Sequence, residues 1–396
     1  MFTSMQFYLF VVLGIFLIGD VLGVATKGKL SGMMITMLIF LVGFLSGIIP
    51  ADIIDKAGLT IIAKWTPAMI IFNLGSGCNV KQLIREWRTV LMACICMVFS
   101  IAAIFCTAPL IGLDSVFVAI PVINGGTIAT QIMTEGAMAN GLPVAAALAA
   151  VIYALQKLVG TPLASYYGVK EANNLLVEFR KDPEKHMAML HANVDEKTGT
   201  IKVPFYEKYK KYYTSTVMIG ITGFFAWIAT SLGSLTGINY GIWALLLGSV
   251  CNLLGIVPPK VLDLSKSTGI MMIAIFGAII PALAKVSIND LTTLLFQVVV
   301  VFAAAVFGIY LAGWILPTWK ICGSKNLAIG IGVEQFLGFP SNVVIVREIA
   351  TTTGRTEQER EYIESKLGTP YVVAGFATVT VVSVLLAGVF VELLAK

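Results

Sequence analysis

The chain has 396 residues, of which 58% are hydrophobic and only 12% are charged, with a formal net charge of +5. This composition excludes a soluble globular domain, whose surface needs far more charge. The small basic excess is explained by loops that face anionic lipid, so we expect no nucleic-acid partner. Long apolar runs occur over the whole length, and the sequence therefore predicts an all-α polytopic protein of the cell inner (plasma) membrane.

The apolar runs fall into two groups of six around one polar linker. The linker covers residues 166–212 and separates an N-terminal transmembrane repeat at 1–165 from a C-terminal transmembrane repeat at 213–396. Several prolines lie near run boundaries, where a proline starts or ends a helix at the lowest cost. The predicted segments are 7–24, 33–50, 62–80, 90–113, 116–140 and 143–165, and then 213–232, 240–257, 267–285, 291–316, 327–350 and 368–394.

Two stretches in the first half of the chain align with two stretches in the second half. Residues 125–141 align without a gap onto residues 338–354, which lie 213 positions later. A second match joins residues 47–55 to residues 255–263, at an offset of 208. Two matches at nearly one offset predict a duplicated fold of about 200 residues per copy, and such a duplication in an apolar chain is typical of a secondary transporter.

The distribution of Lys and Arg favours ten membrane crossings over twelve. If the segments at 116–140 and 327–350 enter and return on the same side, and the N-terminus is outside, most of the 27 Lys and Arg residues face the cytoplasm, with the linker. If all twelve segments cross, this bias collapses. The expected fold is therefore two inverted five-span repeats, each with a re-entrant Gly-rich hairpin.

The tips of the two hairpins are the predicted substrate site. Non-helical backbone at membrane depth must be buried in protein or line an aqueous cavity, since lipid cannot bond its polar groups. Tips from opposite faces would meet near the midplane and surround a carboxylate with backbone N–H groups and hydroxyls. The alternative is a plain Gly-rich turn between tightly packed helices. The residues are Gly125, Gly126 and Thr127 in one tip and Ser341 and Asn342 in the other.

The same hairpins contain the candidate cation ligands. Amide and carboxylate oxygens suit a hard cation such as Na⁺, and an ionisable residue inside a membrane segment is a functional candidate because it is costly. The alternative is that each glutamate lies near water at the open end of its hairpin and only caps it. The candidates are Asn124, Gln131 and the matched pair Glu135 and Glu348, and Glu334 and Gln335 are open to the same two interpretations.

Other polar residues are less informative. Asn73 lies inside the third segment, where it either contacts substrate or cation or bridges helices by hydrogen bonds. Lys157, Asp20, Asn252 and Gln297 are expected to snorkel or to contact a neighbouring helix. The cysteines and histidines lack metal-ligand spacing, so we expect no cofactor and no metal other than Na⁺ as coupling ion. Since no catalytic constellation or nucleotide-binding loop occurs in the sequence, we do not expect an enzyme.

The hairpin segments resemble those of the sodium:glutamate symporter family. Its relatives are the 2-keto-3-deoxygluconate permeases, the 2-hydroxycarboxylate symporters and the bile-acid sodium symporters. The Gly-Gly-x-Gly-Thr pattern of the family corresponds here to residues 125–130 and, in the second half, to residues 338–342. Residues 67–75 also resemble a helix of the ketodeoxygluconate permeases. The resemblance implies a homodimer in which one part of each protomer is a fixed scaffold and the part with both hairpins slides as an elevator.

These features predict an ion-coupled secondary active transporter of a small organic anion, a carboxylate such as glutamate or a keto or hydroxy acid. Na⁺ is the expected coupling ion and H⁺ the second choice, with elevator-type alternating access. The expected partners are the anion, the lipid bilayer and a second copy of the chain. One alternative is a cation/proton antiporter without an organic substrate, and another is a non-transporting membrane sensor or assembly subunit.

Overall fold

The chain folds into helices. The computed structural model describes residues 4–26, 32–78, 80–187, 204–338 and 341–394. Within these ranges every regular element is a helix and no strand is present, which confirms the prediction of an all-α chain.

Seven longer helices form the first part of the chain. The predicted segment 116–140 is two of them, α5 and α6, separated by a break at residues 124–126 that we call the first break. Short helices at Ile53–Lys56, Val80–Arg85 and Ala108–Ile111 connect the longer ones. The longer helices are α1 (Met5–Ala25), α2 (Gly32–Leu45), α3 (Leu59–Ser76), α4 (Trp87–Phe105), α5 (Leu113–Ile123), α6 (Thr127–Ala139) and α7 (Pro143–Phe179).

Eight longer helices form the second part. They are α8 (Ser215–Thr236), α9 (Tyr240–Leu253), α10 (Thr268–Leu283), α11 (Ile288–Tyr310), α12 (Lys325–Val333), α13 (Ser341–Thr353), α14 (Glu357–Gly375) and α15 (Ser383–Leu394). A 3₁₀ turn at Glu334–Phe336 follows α12, and residues 337–338, which we call the second break, are the described residues between this turn and α13. A π-helical turn at Phe376–Val382 joins α14 to α15. The remaining short elements are Phe205–Lys208, Lys210–Tyr212, Val261–Leu264, Leu311–Ile315 and Pro317–Ile321.

The lengths and apolar composition of the helices indicate a membrane-embedded protein. Among the described residues, six helices are long and apolar enough to cross a membrane. Four shorter helices, α2, α5, α9 and α10, are also apolar. The six are α1, α4, α7, α8, α11 with the π-helical turn that follows it, and the continuous helix formed by α14 and α15.

Helix α7 is longer than the sequence predicted. It runs without interruption from Pro143 to Phe179, so the linker that we expected to begin at residue 166 starts as helix. Gly168, Ala172, Leu176 and Phe179 are buried along this extension, at the spacing of one face of a helix, and α7 packs against α13 and α14. Mean hydropathy misses such an extension because its exposed face is polar. Residues 188–203 of the linker lie outside the described residues.

Helices from the two parts of the chain pack on each other. Helix α7 contacts α12 and α13, and α15 contacts α5 and α6. The closest crossing is that of α3 with α9, where a Cβ added at Gly248 would lie 2.2 Å from Phe72 O. A second close crossing joins α11 to α4, where a Cβ added at Gly308 would lie 2.5 Å from Phe99 O. Small residues permit this backbone approach, as is common between membrane helices.

A bidentate ion pair joins the end of α7 to the start of α14. Arg180 Nε lies 2.7 Å from Glu359 Oε1, and an Arg180 Nη lies 3.2 Å from Glu359 Oε2. The Glu359 side chain is buried and also accepts the backbone N–H of Arg355 at 2.7 Å. This geometry gives the carboxylate both hydrogen bonds and a cation, which a buried charge requires.

We expect Arg180→Ala to lower the melting temperature by a few degrees, because the variant leaves the buried Glu359 carboxylate without its cation. Lys181→Ala is the matched control, since Lys181 is the adjacent cation, is exposed and forms no ion pair within the described residues. Thermal unfolding of both variants measures the difference. Equal melting temperatures would contradict a structural role for the pair.

Candidate functional site

A cavity of about 390 Å³ lies where the two breaks approach α3 and α7. Its wall is mostly apolar, with a few polar side chains that come from different helices. A volume of this size is in the usual range for a small-molecule site. The polar and charged lining residues are Asn73, Thr127, Gln156, Lys157, Lys260, Asp263, Thr268 and Thr380.

The two breaks meet at one side chain, that of Val379. A Cβ added at Gly126 would lie 3.1 Å from Val379 Cγ1, and one added at Gly338 would lie 2.9 Å from the same atom. Gly338 has a φ of 63°, a left-handed conformation that favours glycine. Val379 belongs to the π-helical turn and lines the cavity together with both glycines. The structure therefore brings residues of the two predicted tips to the same place.

The first break supplies polar groups to the cavity. Gly126 and Thr127 line it, whereas Gly125 is buried behind them and accepts a hydrogen bond from Gln156 Nε2 at 3.1 Å. Thr127 Oγ1 lies 2.8 Å from the hydroxyl of Tyr153. Thr127 is also the first residue of α6, and the N–H groups of a first helical turn have no partner within the helix. This end of α6 therefore suits an anionic group.

The polar side chains that follow the second break do not line the cavity. Ser341 and Asn342 are not among the residues that line the cavity, although Gly338 is. Asn342 is fully buried, donates from Nδ2 to Tyr371 O at 3.2 Å and accepts the backbone N–H of Val343 at 2.9 Å. Residues 339 and 340 lie outside the described residues. The structure thus separates the two proposed donors of the second tip from the cavity wall.

The position of Asn73 is compatible with both predicted roles, contact with a ligand and a hydrogen-bonded bridge between helices. Its side chain is 4% exposed, and Oδ1 accepts the backbone N–H of Leu262 at 2.8 Å, which ties α3 to the short helix Val261–Leu264. Asn73 also lines the cavity. It therefore bridges two elements and still borders the space in which a ligand would lie.

Lys157 lines the cavity, although the sequence predicted only snorkelling or contact with a neighbouring helix for it. It is half-buried on α7, four residues after Tyr153, so that both side chains lie on one helix face. Within the described residues Lys157 forms no ion pair. The sequence predicts that this helix ends near residue 165, which would place Lys157 near a helix end. The observed helix continues to Phe179 and places Lys157 in its middle. A partly buried ammonium without a counter-charge is unfavourable, and an anion in the cavity would offset that cost.

The candidate cation ligands of the first hairpin lie along α6 and the first break. Gln131 Nε2 donates to Glu135 Oε1 at 3.0 Å, and Asn124 Nδ2 donates to Ile120 O at 2.8 Å. Three oxygens here are buried without a hydrogen-bond partner among the described residues: Asn124 Oδ1, Gln131 Oε1 and Thr134 Oγ1. Unpaired buried oxygens are uncommon and call for an explanation. A bound cation would supply one.

The two matched glutamates lie apart from the cavity. Glu135 is exposed and lines a separate groove with Lys64, Trp65, Trp227 and Tyr240. Glu348 is exposed on α13 and borders neither the cavity nor this groove.

No group of three or more His, Cys, Asp or Glu side chains that could hold a metal ion occurs in the part of the chain that the structure describes. No family model matches the chain, and no curated protein matches its sequence. The features of this chain that bear on its function are therefore the cavity, the two breaks and the charged residues around them.

Proposed function

We propose that the protein is an ion-coupled secondary active transporter of a small organic anion, a carboxylate such as glutamate or a keto or hydroxy acid. The observation on which this depends is Lys157, which has no ion-pair partner among the described residues and lines a cavity shared by both breaks. Na⁺ is the proposed coupling ion, with H⁺ as the second choice. The protein would lie in the plasma membrane as a homodimer.

The order of the helices supports a duplicated architecture. Helices α1 to α7 and α8 to α15 follow in the same order, each with a pair of helices separated by a break before the last long helix. We propose that α5–α6 and α12–α13 are re-entrant hairpins and that ten segments cross the membrane. The ten are the six long helices together with α2, α3, α9 and α10. Five crossings per half make the second half inverted, as is common in transporters.

The proposed anion site uses the first break and α7. The Lys157 ammonium would pair with a carboxylate, while the first N–H groups of α6 and the Thr127 hydroxyl donate to its oxygens. Asn73 would contact the same ligand from α3. The apolar wall around these groups suits the carbon skeleton of a small acid.

The cavity and the Glu135 groove suit alternating access. The cavity is lined by Leu83, Lys260 and Asp263, from loops that the positive-inside rule assigns to the cytoplasm with the N-terminus outside. Glu135 lies eight residues further along α6 than Thr127, which is about 12 Å at 1.5 Å per residue. We propose that the groove belongs to the external pathway and that the hairpins move between the two sides as an elevator.

Cation coupling is proposed at the unpaired oxygens of the first hairpin. Asn124, Gln131 and Glu135 would bind the ion, and Glu348 is the matched residue of the second half. Each elementary charge that moves across 100 mV contributes about 2.3 kcal/mol, so one or two cations would drive substantial accumulation.

Glu135→Gln and Glu348→Gln are expected to change cation dependence more than anion selectivity.

A thermal-unfolding panel on detergent-purified protein tests the function. It compares Na⁺ with choline at fixed ionic strength, each with glutamate, citrate, ketoacids and bile acids. An anion present at 100 times its Kd stabilises the folded state by about 2.7 kcal/mol. Stabilisation by an anion that requires Na⁺ supports coupled symport. A response to Na⁺ or pH with no response to any anion would favour the antiporter and contradict the proposal.

A further inference from the structure

The second half of the chain contains a buried carboxyl that the proposed anion site does not use. Glu334 and Gln335 lie in the 3₁₀ turn after α12, and both side chains are 0% exposed. Among the described residues, neither carboxyl oxygen of Glu334 and neither amide atom of the Gln335 side chain has a hydrogen-bond partner within 3.5 Å, and the polar group that approaches the carboxyl is the neutral amide of Asn342. A charged carboxylate in such surroundings is strongly unfavourable. The group therefore requires either a proton or a bound cation.

The carboxyl lies close to the second break. A Cβ added at Gly375 would lie 3.4 Å from Glu334 Oε2, 2.8 Å from Asn342 Nδ2 and 3.5 Å from Gly338 Cα. Gly338 lines the anion cavity, as does the π-helical turn that follows Gly375. The Glu334 carboxyl, the Asn342 amide and the cavity wall thus share one neighbour, and a change at the carboxyl would be transmitted directly to the second break.

No cation forms an ion pair with Glu334 within the described residues. The turn packs against α4, α7, α12, α14 and the π-helical turn. Several titratable side chains on these elements have hydrogen-bond partners, whereas Lys157 forms no ion pair within the described residues. Tyr371 donates to Ala164 O at 3.3 Å, Glu171 accepts from the Ser324 hydroxyl, Cys96 Sγ lies 3.9 Å from Ala328 O, Tyr153 bonds Thr127, and Lys157 borders the cavity.

We propose that Glu334, together with the side-chain oxygen of Gln335, binds a monovalent cation, Na⁺ or H⁺, in the second half of the chain. These are the carboxylate and amide oxygens that a hard cation prefers, and a proton on Glu334 would be shared with the Gln335 amide oxygen. The role as coupling ion rests on the proposed transport function. Occupancy of the site does not depend on an anion.

The proposal also explains how a cation would influence the anion site. A cation would hold Glu334 and Gln335 around one centre, with the carboxylate beside the Asn342 amide nitrogen and Gly375, and so fix the second break, with Gly338, against Val379. With the site empty, a buried charge remains uncompensated and this arrangement is disfavoured. The cation-bound state is therefore the one with a complete anion cavity, which is a coupling between two sites in the thermodynamic sense.

The first test is a cation titration without any organic anion, read by thermal unfolding. Wild-type protein is expected to be stabilised by Na⁺ over choline, or by lower pH in choline if the ion is H⁺. Glu334→Gln should raise the Na⁺ concentration for half-maximal stabilisation at least about tenfold, or remove the pH response. Glu171→Gln is the matched control, because Glu171 is also a buried carboxyl but already has Ser324 as its donor. Wild-type responses to both Na⁺ and pH in Glu334→Gln would overturn the proposal.

A second measurement needs no variant. Dicyclohexylcarbodiimide modifies protonated carboxyls in apolar sites, and peptide mass spectrometry locates the product. Glu334 should be modified in choline buffer and protected either by added Na⁺ or by raised pH, which identifies the ion. Modification that neither Na⁺ nor pH alters would reject the site. If Na⁺ or raised pH protects Glu334 but no anion stabilises the protein, the cation site is supported and symport is rejected. Failure of the cation site and failure of the transport function are therefore distinguishable.

Discussion

Lys157→Gln is expected to weaken binding of the anion by about 10- to 150-fold, which corresponds to the loss of one hydrogen bond to a charged group. Gln retains a donor of similar length but removes the charge that the carboxylate would neutralise. The folded protein should be at least as stable as wild type without ligand, because the variant no longer holds a partly buried ammonium without a counter-charge. The anion concentration needed for half-maximal thermal stabilisation measures the effect.

Lys170→Gln is the control for this prediction. Lys170 lies on the same helix, is exposed, and its Nζ lies 4.2 Å from the centre of the Tyr166 ring. Its replacement should leave anion binding unchanged. Lys157→Arg should retain part of the affinity, since it keeps the positive charge with a different geometry. If Lys157→Gln binds the anion as tightly as wild type, the cavity is not the anion site.

The breaks in the helices were the most predictable part of this fold. Residues 124–126 (Asn-Gly-Gly) cannot continue a helix without cost inside an otherwise apolar run, and the same holds at Gly338, whose positive φ favours glycine. Local composition therefore contains the information needed to locate both breaks. The long apolar runs likewise predict where helices occur, because in lipid the backbone must satisfy its own hydrogen bonds, but α7 ends 14 residues after its predicted run and α14 begins 11 residues before its own.

The composition of the cavity was less predictable, because it depends on contacts between distant parts of the chain. Val379 touches glycines of both breaks, although it lies more than 40 residues from one and more than 250 from the other. No local pattern identifies it. The place of Lys157 along its helix was unpredictable for a different reason, since it depends on where α7 ends, and that end is determined by an amphipathic face packed on the second half. Glu334 was recognised as ionisable, but its lack of partners is visible only in three dimensions.

Gly248→Ala is expected to destabilise the folded protein by about 2–3 kcal/mol, as over-packing of a tight interface usually does. The added methyl would lie 2.2 Å from Phe72 O and 2.9 Å from Ser76 N, and both are backbone atoms of α3 that cannot move as a flexible side chain does. The facing residue is equally tight, since a Cβ at Gly75 would lie 2.3 Å from Leu245 O. The helices α3 and α9 would have to separate along their whole contact.

Gly220→Ala is the matched control, because a Cβ at Gly220 on α8 meets nothing within 4 Å. The same change of residue should there be neutral or slightly stabilising, since Ala is the better helix former. Thermal unfolding of both variants in detergent measures the difference, and similar melting temperatures would show that α3 and α9 do not cross at Gly248. Helix α3 also holds Asn73 at the cavity, where its side chain accepts the backbone N–H of Leu262. Any Gly248→Ala protein that folds should therefore bind the anion more weakly, although residue 248 does not line the cavity.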